Sequence, residues 1–481
     1  MHRALIAILL LGGLLFAGFG LDRTIAWHLM LAFGASFVGY AWLISQDRTQ
    51  AQHFSFFLSL GIFVRLALVF SFPTLSDDLY RFIWDGQLIR SGINPFAELP
   101  AFYLEAENQV EGLSQQLFDL LNSPGYYTIY PPVAQGTFSL AVWISPNSWY
   151  GASIVMKLIL LAFELGTAWL ILRILTHYKL PRTRLFLYWL NPLIIIEIVG
   201  NIHFEGAMIF FLLLALWCML KTRWWAAGGA MALSVASKLL PLLLLPFLVK
   251  RLWPSSWRLA RRRESFSHFN AARITSALAF ALSFALVLIL SFLPLVFAGF
   301  FENFGQSFDL YFRRFEFNAS LYYLARSYGY WAYESNQVAF FGPLLARIGA
   351  LGILLFALLE RGLRFPQWHN SKSWKALPNA WMWAFVIYLL CATTVHPWYL
   401  AVPIVLCVFT TWRFPIIWSA LICLTYATYL TTPYQEQLWL VIVEYTGLLL
   451  FMVYEGIKMR RRIALLEKQA DHEGEQRSYP G

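Results

Sequence analysis

The stretch "LALVFSFPTLSDDLYRFIWDG", residues 66–86, sets a cluster of charge directly after an apolar run. The charged part carries the carboxylates of Asp77, Asp78 and Asp85 together with the guanidinium of Arg81. An apolar run that stops at a charged segment is typical of a helix leaving a lipid bilayer. The fold therefore depends on whether similar apolar runs recur elsewhere in the chain.

They do recur, because 59% of the 481 residues are hydrophobic and only 13% are charged, unlike an ordinary soluble domain. Runs of roughly 17 to 25 residues can cross a bilayer as helices. The candidate runs are 3–20, 26–44, 55–72, 151–173, 184–200, 206–220, 224–249, 273–298, 338–360, 380–412, 414–431 and 437–457. Since 224–249 and 380–412 could each hold two short or broken helices, we expect an all-α polytopic bundle of about 12–14 transmembrane helices. The first run lacks an A-x-A-like cleavage site and is expected to be retained.

The net charge of +10 is distributed as in a membrane protein rather than a nucleic-acid-binding protein. Most Lys and Arg residues fall in alternate connections, which is the positive-inside pattern with both termini in the cytoplasm. On this count "KRLWPSSWRLARRR" (250–263) and "KMRRR" (458–462) are cytosolic anchors that face anionic lipid. No nucleic-acid partner is expected. A zinc site or disulfide framework is not expected either, because the cysteines lie inside apolar runs without metal-ligand spacing: Cys218, Cys391, Cys407 and Cys423.

The same count divides the chain into four parts. These are N-terminal transmembrane helices (1–72), an extracytoplasmic loop with a re-entrant or juxtamembrane segment (73–150), a transmembrane core (151–457) and a basic, disordered cytosolic tail (458–481). The core includes a second outside loop, 299–337, which is rich in aromatic residues and arginine. The two outside loops are the places where charged side chains can meet a membrane-bound substrate.

The start of the first loop predicts an amphipathic helix at the membrane surface. Ser76 can cap it, and an apolar face follows at helical spacing. Asp78, Arg81 and Asp85 then fall together on the face opposite the lipid. The alternative interpretation is that the acids merely complement the helix dipole while Arg81 neutralises them.

Other ionisable residues also interrupt apolar runs, and by the same count they lie at the outer surface: His203, Glu205, Lys238, His396, Arg313 and Arg314. A histidine at the end of a span can simply be an interfacial hydrogen-bonding group, and Lys238 can extend to lipid headgroups. Carboxylates and cations that share one membrane face nevertheless indicate transfer chemistry on a phosphate-bearing lipid.

Five segments in order resemble the GT-C integral-membrane glycosyltransferases. The segments are "SDDLYRFIWDGQLIRSGINPF" (76–96), "YYTIYPPVAQ" (126–135), "NPLIIIEIVGNIHFEGAMIFFLLLAL" (191–216), "SKLLPLLLLP" (237–246) and "HPWYL" (396–400). Within that superfamily the chain is similar to polyprenyl-phosphate-mannose-dependent mannosyltransferases, both the bacterial lipoglycan enzymes and the first GPI mannosyltransferase. The resemblance implies a GT-C-like bundle whose large first outside loop carries the catalytic aspartate.

The resemblance favours Asp78 over Asp77 as the catalytic base, because the bacterial pattern S-x-D-x-Y matches Ser76, Asp78 and Tyr80. Adjacent acidic pairs occur in other members, so Asp77 stays the second candidate. The chain departs from the family at Glu205, where relatives often have aspartate.

A polyprenyl-phosphate sugar already carries a good leaving group, so the main demand is to deprotonate the acceptor hydroxyl. We expect a single displacement that inverts the anomeric configuration, with mannose as the sugar and a lipid-linked or glycan acceptor. The cations expected at the donor phosphate are Lys238, Arg313, Arg314 and His396. The residues expected to contact substrate are Asp85, Asn94, Tyr130, His203, Glu205 and Tyr399; Asp85 and Asn94 are alternatively expected to orient the loop.

The resemblance implies no required cofactor or metal, although Asp77 and Asp78 could together bind a divalent cation. It implies a cell membrane enzyme whose active site lies outside the cytoplasm. A transporter or lipid flippase is one alternative, but it predicts repeated halves and charges toward the bilayer midplane, whereas no internal repeat is visible and the charges cluster at one face, where one acidic loop dominates. A non-catalytic assembly subunit that keeps the scaffold is the other.

Overall fold

The computed structural model describes residues 2–252, 266–360 and 374–477. Within these ranges the chain forms helices and no β-strand; one isolated parallel bridge joins Phe317 to Thr394. This confirms the expected all-α membrane architecture. The predicted cytosolic anchor at 250–263 lies almost entirely outside the described residues, as does the end of the tail, 478–481.

The N-terminal helices form a short bundle that precedes the first loop. They are α1 (His2–Phe19), α2 (Ala26–Ile44), α3 (Asp47–Gln52) and α4 (Phe54–Val69). α4 is fixed to the core by Arg65, which donates through Nε and Nη2 to Glu164 Oε2 at 3.2 and 2.9 Å. Both side chains are fully buried, so each neutralises a charge that would otherwise be isolated in the bundle.

The first loop contains α5 (Asp78–Arg90), a 3-10 helix (Pro100–Leu104), α6 (Gln115–Asp119) and α7 (Pro132–Ile144). α5 begins at Asp78, and its N-cap residue is Asp77, whose side chain makes no capping hydrogen bond. Ser76, the expected cap, lies one residue earlier, where its Oγ accepts from the Asp78 N–H at 3.3 Å. It packs tightly on α7: the Phe82 and Phe138 rings stack at 4.4 Å, and a Cβ at Gly86 would lie 2.8 Å from the Phe138 carbonyl oxygen.

The prediction that α5 lies on the membrane surface with one face in lipid does not match the structure. Residues 81–88 are buried on every side of the helix. The polar face is covered because Arg81 donates to Asp85 at 2.9 Å and to the Tyr126 carbonyl oxygen at 2.9 Å. A spacing pattern identifies two faces of a helix, but it does not show that a later loop segment covers the polar one.

The core begins with α8 (Trp149–Tyr178), whose first turn is capped by Ser148 Oγ accepting from the Gly151 N–H at 3.0 Å. The following helices are α9 (Phe186–Trp189), α10 (Pro192–Ile194), α11 (Glu205–Leu220), α12 (Trp224–Ser237), α13 (Leu245–Leu252) and α14 (Phe266–Phe292). Between α10 and α11 the chain forms a π-helix, Ile195–Gly200. Short 3-10 helices occupy Arg182–Leu185 and Leu240–Leu244.

The remaining helices are α15 (Phe300–Arg313), α16 (Leu321–Tyr333), α17 (Val338–Leu359), α18 (Leu377–Cys391), α19 (Ala401–Cys407), α20 (Phe414–Leu421) and α21 (Leu438–Arg477). Further 3-10 helices occupy Trp374–Ala376, Pro397–Leu400 and Ile422–Leu430. The tail was expected to be disordered from residue 458, but α21 continues to Arg477. Its Ala, Leu, Glu, Lys, Arg and Gln content favours helix.

Two apolar runs are broken as predicted, and both breaks fall at candidate site residues. The run 224–249 leaves helical geometry at Lys238, which has extended backbone angles (φ −163°, ψ 139°). The run 380–412 breaks between the end of α18 at Cys391 and the 3-10 helix Pro397–Leu400, which His396 precedes. Broken helices place irregular backbone and polar side chains where they can line a site.

Six described helices are long and apolar enough to cross a membrane, or seven if a bent pair counts as one span. The six are His2–Phe19, Ala26–Ile44, Trp149–Tyr178, Ile274–Phe292, Val338–Leu359 and Leu438–Arg461. The pair joins Arg182–Trp189 to Pro192–Gly200 with a bend of 55°. Shorter apolar helices of 10–17 residues accompany them. The chain is therefore a multi-pass membrane protein, and the total of 12–14 spans stays a prediction.

Candidate functional site

The carboxylate of Asp78 lies at the first turn of α5 and is only partly covered, with 21% of its side chain exposed. Oδ1 accepts a hydrogen bond from Asn122 Nδ2 at 2.6 Å. Oδ2 faces His203 Nε2 across 4.0 Å. Asp78 is thus oriented by a neutral donor while its second oxygen points into the gap beside His203, which suits a group that accepts a proton.

The neighbouring aspartate has a different environment. Asp77 Oδ2 accepts from Arg23 Nη2 at 2.9 Å, and the Arg23 guanidinium lies 4.5 Å from the centre of the Tyr429 ring. Arg23 comes from the connection between α1 and α2, so this ion pair ties the N-terminal helices to the start of α5. Asp77 is therefore bound to a structural cation, whereas Asp78 faces the gap.

His203 lies between the two apolar runs, as expected, and is nearly fully buried with 4% of its side chain exposed. Its Nδ1 is 2.9 Å from the Glu197 carbonyl oxygen and 3.0 Å from Glu197 Oε2. Burial alone disfavours the imidazolium, but the hydrogen bond and charge of Glu197, with the charges of Glu205 and Asp78, raise the pKa of His203 above its ordinary value. The ring favours its cationic form more than a free histidine does.

Asn201 links this segment to the start of α5. Its Oδ1 accepts from the backbone N–H groups of Thr74 and Leu75, both at 3.1 Å. Its Nδ2 donates to Glu197 Oε1 at 3.1 Å. One buried amide therefore fixes the distance between the chain that precedes Asp78 and the chain that carries His203.

Lys238 projects from the break after α12 and forms an ion pair with Glu205, the first residue of α11. Glu205 is buried while 28% of the Lys238 side chain is exposed. The Lys238 ammonium also lies 4.5 Å from the centre of the Tyr399 ring. The Lys238 ammonium contacts the Glu205 carboxylate and the face of the Tyr399 ring, and its exposed part is available to bind an anion.

Four rings form a continuous stack along one side of the site. His203 stacks on Trp398 with ring centroids 3.8 Å apart, Trp398 on His396 at 4.5 Å, and His396 on Phe317 at 5.1 Å. Phe317 is held by backbone hydrogen bonds, donating to the Thr393 carbonyl at 3.0 Å and accepting from the Val395 N–H at 2.8 Å. The stack joins Phe317 of the second loop to His203, which faces Asp78 of the first loop.

The position of His396 in the stack changes the role expected for it. Burial lowers the pKa of His396 to about 3, with the positive charges of Lys238 and His203 adding to the effect. The imidazole is therefore neutral near pH 7. It lines the site beside Lys238, but it does not bring the positive charge expected from the sequence.

Asp85 makes its contacts within the first loop, and Asn94 ties that loop to the segment after α14, which agrees with the orienting role given as the alternative above. Asp85 is fully buried, and Thr128 Oγ1 and Gln135 Nε2 donate to its Oδ2 at 2.5 and 2.9 Å. Asn94 Nδ2 donates to the carbonyl oxygens of Leu295 and Phe297, both at 2.8 Å. A contact of either side chain with substrate stays a prediction.

The arginines of the second loop lie on its surface. Arg313 Nε donates to Asp309 Oδ1 at 2.7 Å, and both side chains are about half exposed. Arg314 is also exposed. In the described ranges no hydrogen bond or ion pair connects either arginine to Asp78 or Lys238. Their role at the phosphate stays a prediction.

Tyr130 is brought close to the site but belongs to an aromatic cluster. Its ring packs edge-on against Phe82 at 4.9 Å and Phe138 at 5.5 Å. Burial raises its pKa well above the ordinary value, and the nearby charge of Asp78 adds to this. The phenol stays protonated and can donate a hydrogen bond.

Sequence reasoning missed Glu197, Asn122 and Trp398. Glu197 carried a detectable signal, because an acidic residue inside an apolar run of the bundle is by default a functional hypothesis. Asn122 carried none, and Trp398 was marked only by its place in the segment 396–400, since the roles of both depend on contacts with residues far away in the chain. In the part of the chain that the structure describes, no group of three or more His, Cys, Asp or Glu residues could hold a metal ion.

Comparison with known families supports the resemblance. Residues 13–253 match the model of a family described as "Alpha-(1->6)-mannopyranosyltransferase, N-terminal domain". The matched range contains Asp78, His203, Glu205 and Lys238, whereas residues 396–399 lie beyond it.

Curated proteins with similar sequences have the same description. Alpha-(1->6)-mannopyranosyltransferase A of Corynebacterium glutamicum is 26% identical over 183 residues, which is 38% of this chain and 36% of that protein. Alpha-(1->6)-mannopyranosyltransferase A of Mycobacterium tuberculosis is 25% identical over 224 residues, 46% of this chain and 41% of that protein. Alpha-(1->6)-mannopyranosyltransferase B of Corynebacterium glutamicum is 25% identical over 195 residues, 40% and 31% respectively. The chain thus aligns with less than half of the length of each relative.

Proposed function

The chain belongs to the Alpha-(1->6)-mannopyranosyltransferase family, and on that premise we propose that it transfers mannose from a polyprenyl-phosphate-linked donor to a lipid-linked or glycan acceptor. The reaction takes place at the extracytoplasmic face of a cell membrane. The names of the similar proteins support an α-(1→6) linkage for the product.

The observation that carries the proposal is the convergence of one partly exposed carboxylate and one partly exposed cation on the same site. Asp78 faces His203 across 4.0 Å, and the His203 ring stacks on Trp398, the neighbour of Tyr399. Lys238 lies over Tyr399 at 4.5 Å. Asp78 and Lys238 are thus connected through the adjacent residues Trp398 and Tyr399. A displacement at a glycosyl phosphate requires a base and a phosphate-binding cation in one site.

In the proposed reaction Asp78 removes the proton from the acceptor hydroxyl as its oxygen attacks the anomeric carbon of the donor. The bond between the anomeric carbon and the phosphate oxygen breaks, and polyprenyl phosphate leaves with the bonding electrons. Lys238 balances the negative charge that develops on this phosphate. One displacement of this kind inverts the anomeric configuration.

The test is a transfer assay with purified protein, synthetic polyprenyl-phosphate mannose, GDP-mannose and a panel of α-mannoside acceptors. We expect product only with the lipid-linked donor. Transfer from GDP-mannose alone, without the lipid-linked donor, would reject the donor assignment. A folded wild-type protein that shows no transfer with any donor and acceptor would instead favour the non-catalytic subunit.

A further inference from the structure

Glu197 is a buried carboxylate that the proposed reaction does not use. It lies in the π-helix Ile195–Gly200, and 1% of its side chain is exposed. Oε1 accepts from the Tyr426 hydroxyl at 2.5 Å and from Asn201 Nδ2 at 3.1 Å. Oε2 lies 3.0 Å from His203 Nδ1. Burying a charged carboxylate costs free energy unless a cation pairs with it. For Glu197 the group in the position of such a cation is His203.

The neighbours of His203 determine where its protons are. Nδ1 is 2.9 Å from the Glu197 carbonyl oxygen, which can only accept, so Nδ1 carries a proton. Nε2 is buried and, among the described residues, has no hydrogen-bond partner. It points toward Asp78 Oδ2 across a gap of 4.0 Å. A buried ring nitrogen that no described protein group engages is available to donate a hydrogen bond to a substrate oxygen.

The backbone between Glu197 and His203 is unusual in two ways. A π-helix is rare and frequently marks a functional position. Ile202, the residue before His203, has φ of +63° although it is β-branched and fully buried. A conformation this unfavourable persists only where the surrounding packing requires it. Both features shape the turn that directs the His203 ring.

The charge of His203 depends on the groups that face it. Three carboxylates favour the imidazolium, those of Glu197, Glu205 and Asp78. Lys238 and His396 face the same cluster, where Lys238 is already paired with Glu205 and His396 is neutral near pH 7. Glu197 makes the shortest contact of the three carboxylates to the His203 ring, so it is the one that matters most for the charge.

We propose that Glu197 is a positioning residue of the active site: it holds His203 as an imidazolium whose Nε2–H donates a hydrogen bond to a substrate oxygen beside Asp78. The inference rests on the proposed mannosyl transfer. In this arrangement His203 contacts the substrate, and Glu197 acts through His203. The Glu197 backbone carbonyl holds the ring orientation, while the carboxylate holds the charge.

The experiment is the pH dependence of kcat/KM for wild type and Glu197→Gln. Glutamine keeps the shape, the Tyr426 contact and the backbone carbonyl but removes the negative charge. Activity of the wild type should fall as the pH rises through the pKa of His203, because the imidazolium is lost. In Glu197→Gln this basic limb should move to lower pH by about one unit or more.

Two further variants make the result specific. Tyr426→Phe removes a hydrogen bond to the same carboxylate without changing charge, so its basic limb should stay where it is in the wild type. In His203→Gln the limb should disappear, because the amide does not titrate. A basic limb at the wild-type pH in either Glu197→Gln or His203→Gln overturns the inference.

A second measurement does not depend on activity. The pKa of His203 is raised in the folded protein, so its contribution to stability is complete below its unfolded value of about 6.5 and is lost as the pH rises through the folded value. The difference in Tm between wild type and Glu197→Gln should therefore shrink as the pH rises. A difference that does not vary with pH contradicts the inference, whereas absent transfer by wild type contradicts only the proposed function.

Discussion

The imidazole of His203 lies flat on the indole of Trp398, with ring centroids 3.8 Å apart and planes inclined by 17°. An imidazolium on an indole face is stabilised electrostatically, by about 0.5–2 kcal/mol. Trp398 therefore supports both the position and the charge of a residue that faces Asp78. The Trp398 ring therefore contributes to the chemistry of the site and not only to its packing.

Replacing Trp398 tests this relationship. Trp398→Leu should lower kcat/KM by roughly 10-fold, since the loss of a contact worth about 1.4 kcal/mol corresponds to one order of magnitude. Trp398→Phe keeps a ring under His203 and should retain most of the activity. Steady-state kinetics of both variants, with Tm as the control for folding, make the comparison. Equal losses in the two variants would contradict a role for the ring face.

The two adjacent aspartates should differ strongly. Asp78→Asn keeps the shape and the Asn122 contact but removes the proton acceptor, so transfer should fall by about 10²- to 10⁴-fold. Asp77→Asn weakens a partly exposed ion pair with Arg23, worth about 0.2–1 kcal/mol, and should cost at most about fivefold. Rates at saturating acceptor decide between them. An inactive Asp77→Asn beside an active Asp78→Asn would mean that the base is Asp77.

Lys238→Ala should raise KM for the donor and lower kcat, because a phosphate-binding cation acts on both ground state and transition state. The same variant leaves the buried carboxylate of Glu205 without its partner, which would also destabilise the fold. The double variant Lys238→Ala with Glu205→Gln removes this unpaired charge. If the double variant regains Tm but not activity, Lys238 binds the donor; if it regains activity, Lys238 serves only to neutralise Glu205.

The fully buried ion pair between Arg65 and Glu164 should be important for stability. Arg65→Met leaves Glu164 uncompensated and should destabilise the protein by about 3–5 kcal/mol. Arg65→Met combined with Glu164→Gln should recover much of this loss, because no charge is then left alone. Thermal unfolding in detergent measures both. A single variant as stable as the wild type would show that water reaches the pair.

The topology is tested with single cysteines in a variant whose native cysteines have been replaced. Glu105→Cys and Tyr330→Cys should react with an impermeant reagent in intact cells, whereas Ala470→Cys should react only after lysis. Both outer positions are exposed in the structure. The opposite labelling pattern would reverse the orientation and place Asp78 in the cytoplasm.

Several elements of the fold and site could be predicted from residues that are near one another in the sequence. The start of α5 within two residues of Ser76 follows from the capping preference of serine, and the break at Lys238 follows from the length of one apolar run. Asp78 and His203, which were expected to lie on one membrane face, are 4.0 Å apart. These features depend on residues that are close in sequence or on a single property of the bilayer.

Other features depend on which distant segments pack together, and the sequence did not reveal them. Asp85 resembled a substrate-facing acid until Thr128 and Gln135 covered it. His396 resembled a cation, but the rings of Trp398 and Phe317 enclose it and keep it neutral. A burial that arises from long-range packing changes the charge of a side chain without leaving a local pattern.

The four-ring stack has a consequence for biosynthesis. A growing chain places Asp78, His203 and Lys238 well before Trp398 and the His396 ring have been translated. At about 5–20 residues per second, the 161 residues from Lys238 to Tyr399 take roughly 8 to 30 s to synthesise. During that interval Asp78, His203 and Lys238 are present without the Trp398 and Tyr399 rings that His203 and Lys238 contact. The site is therefore complete only after His396, Trp398 and Tyr399 have been synthesised, when most of the bundle has already been inserted.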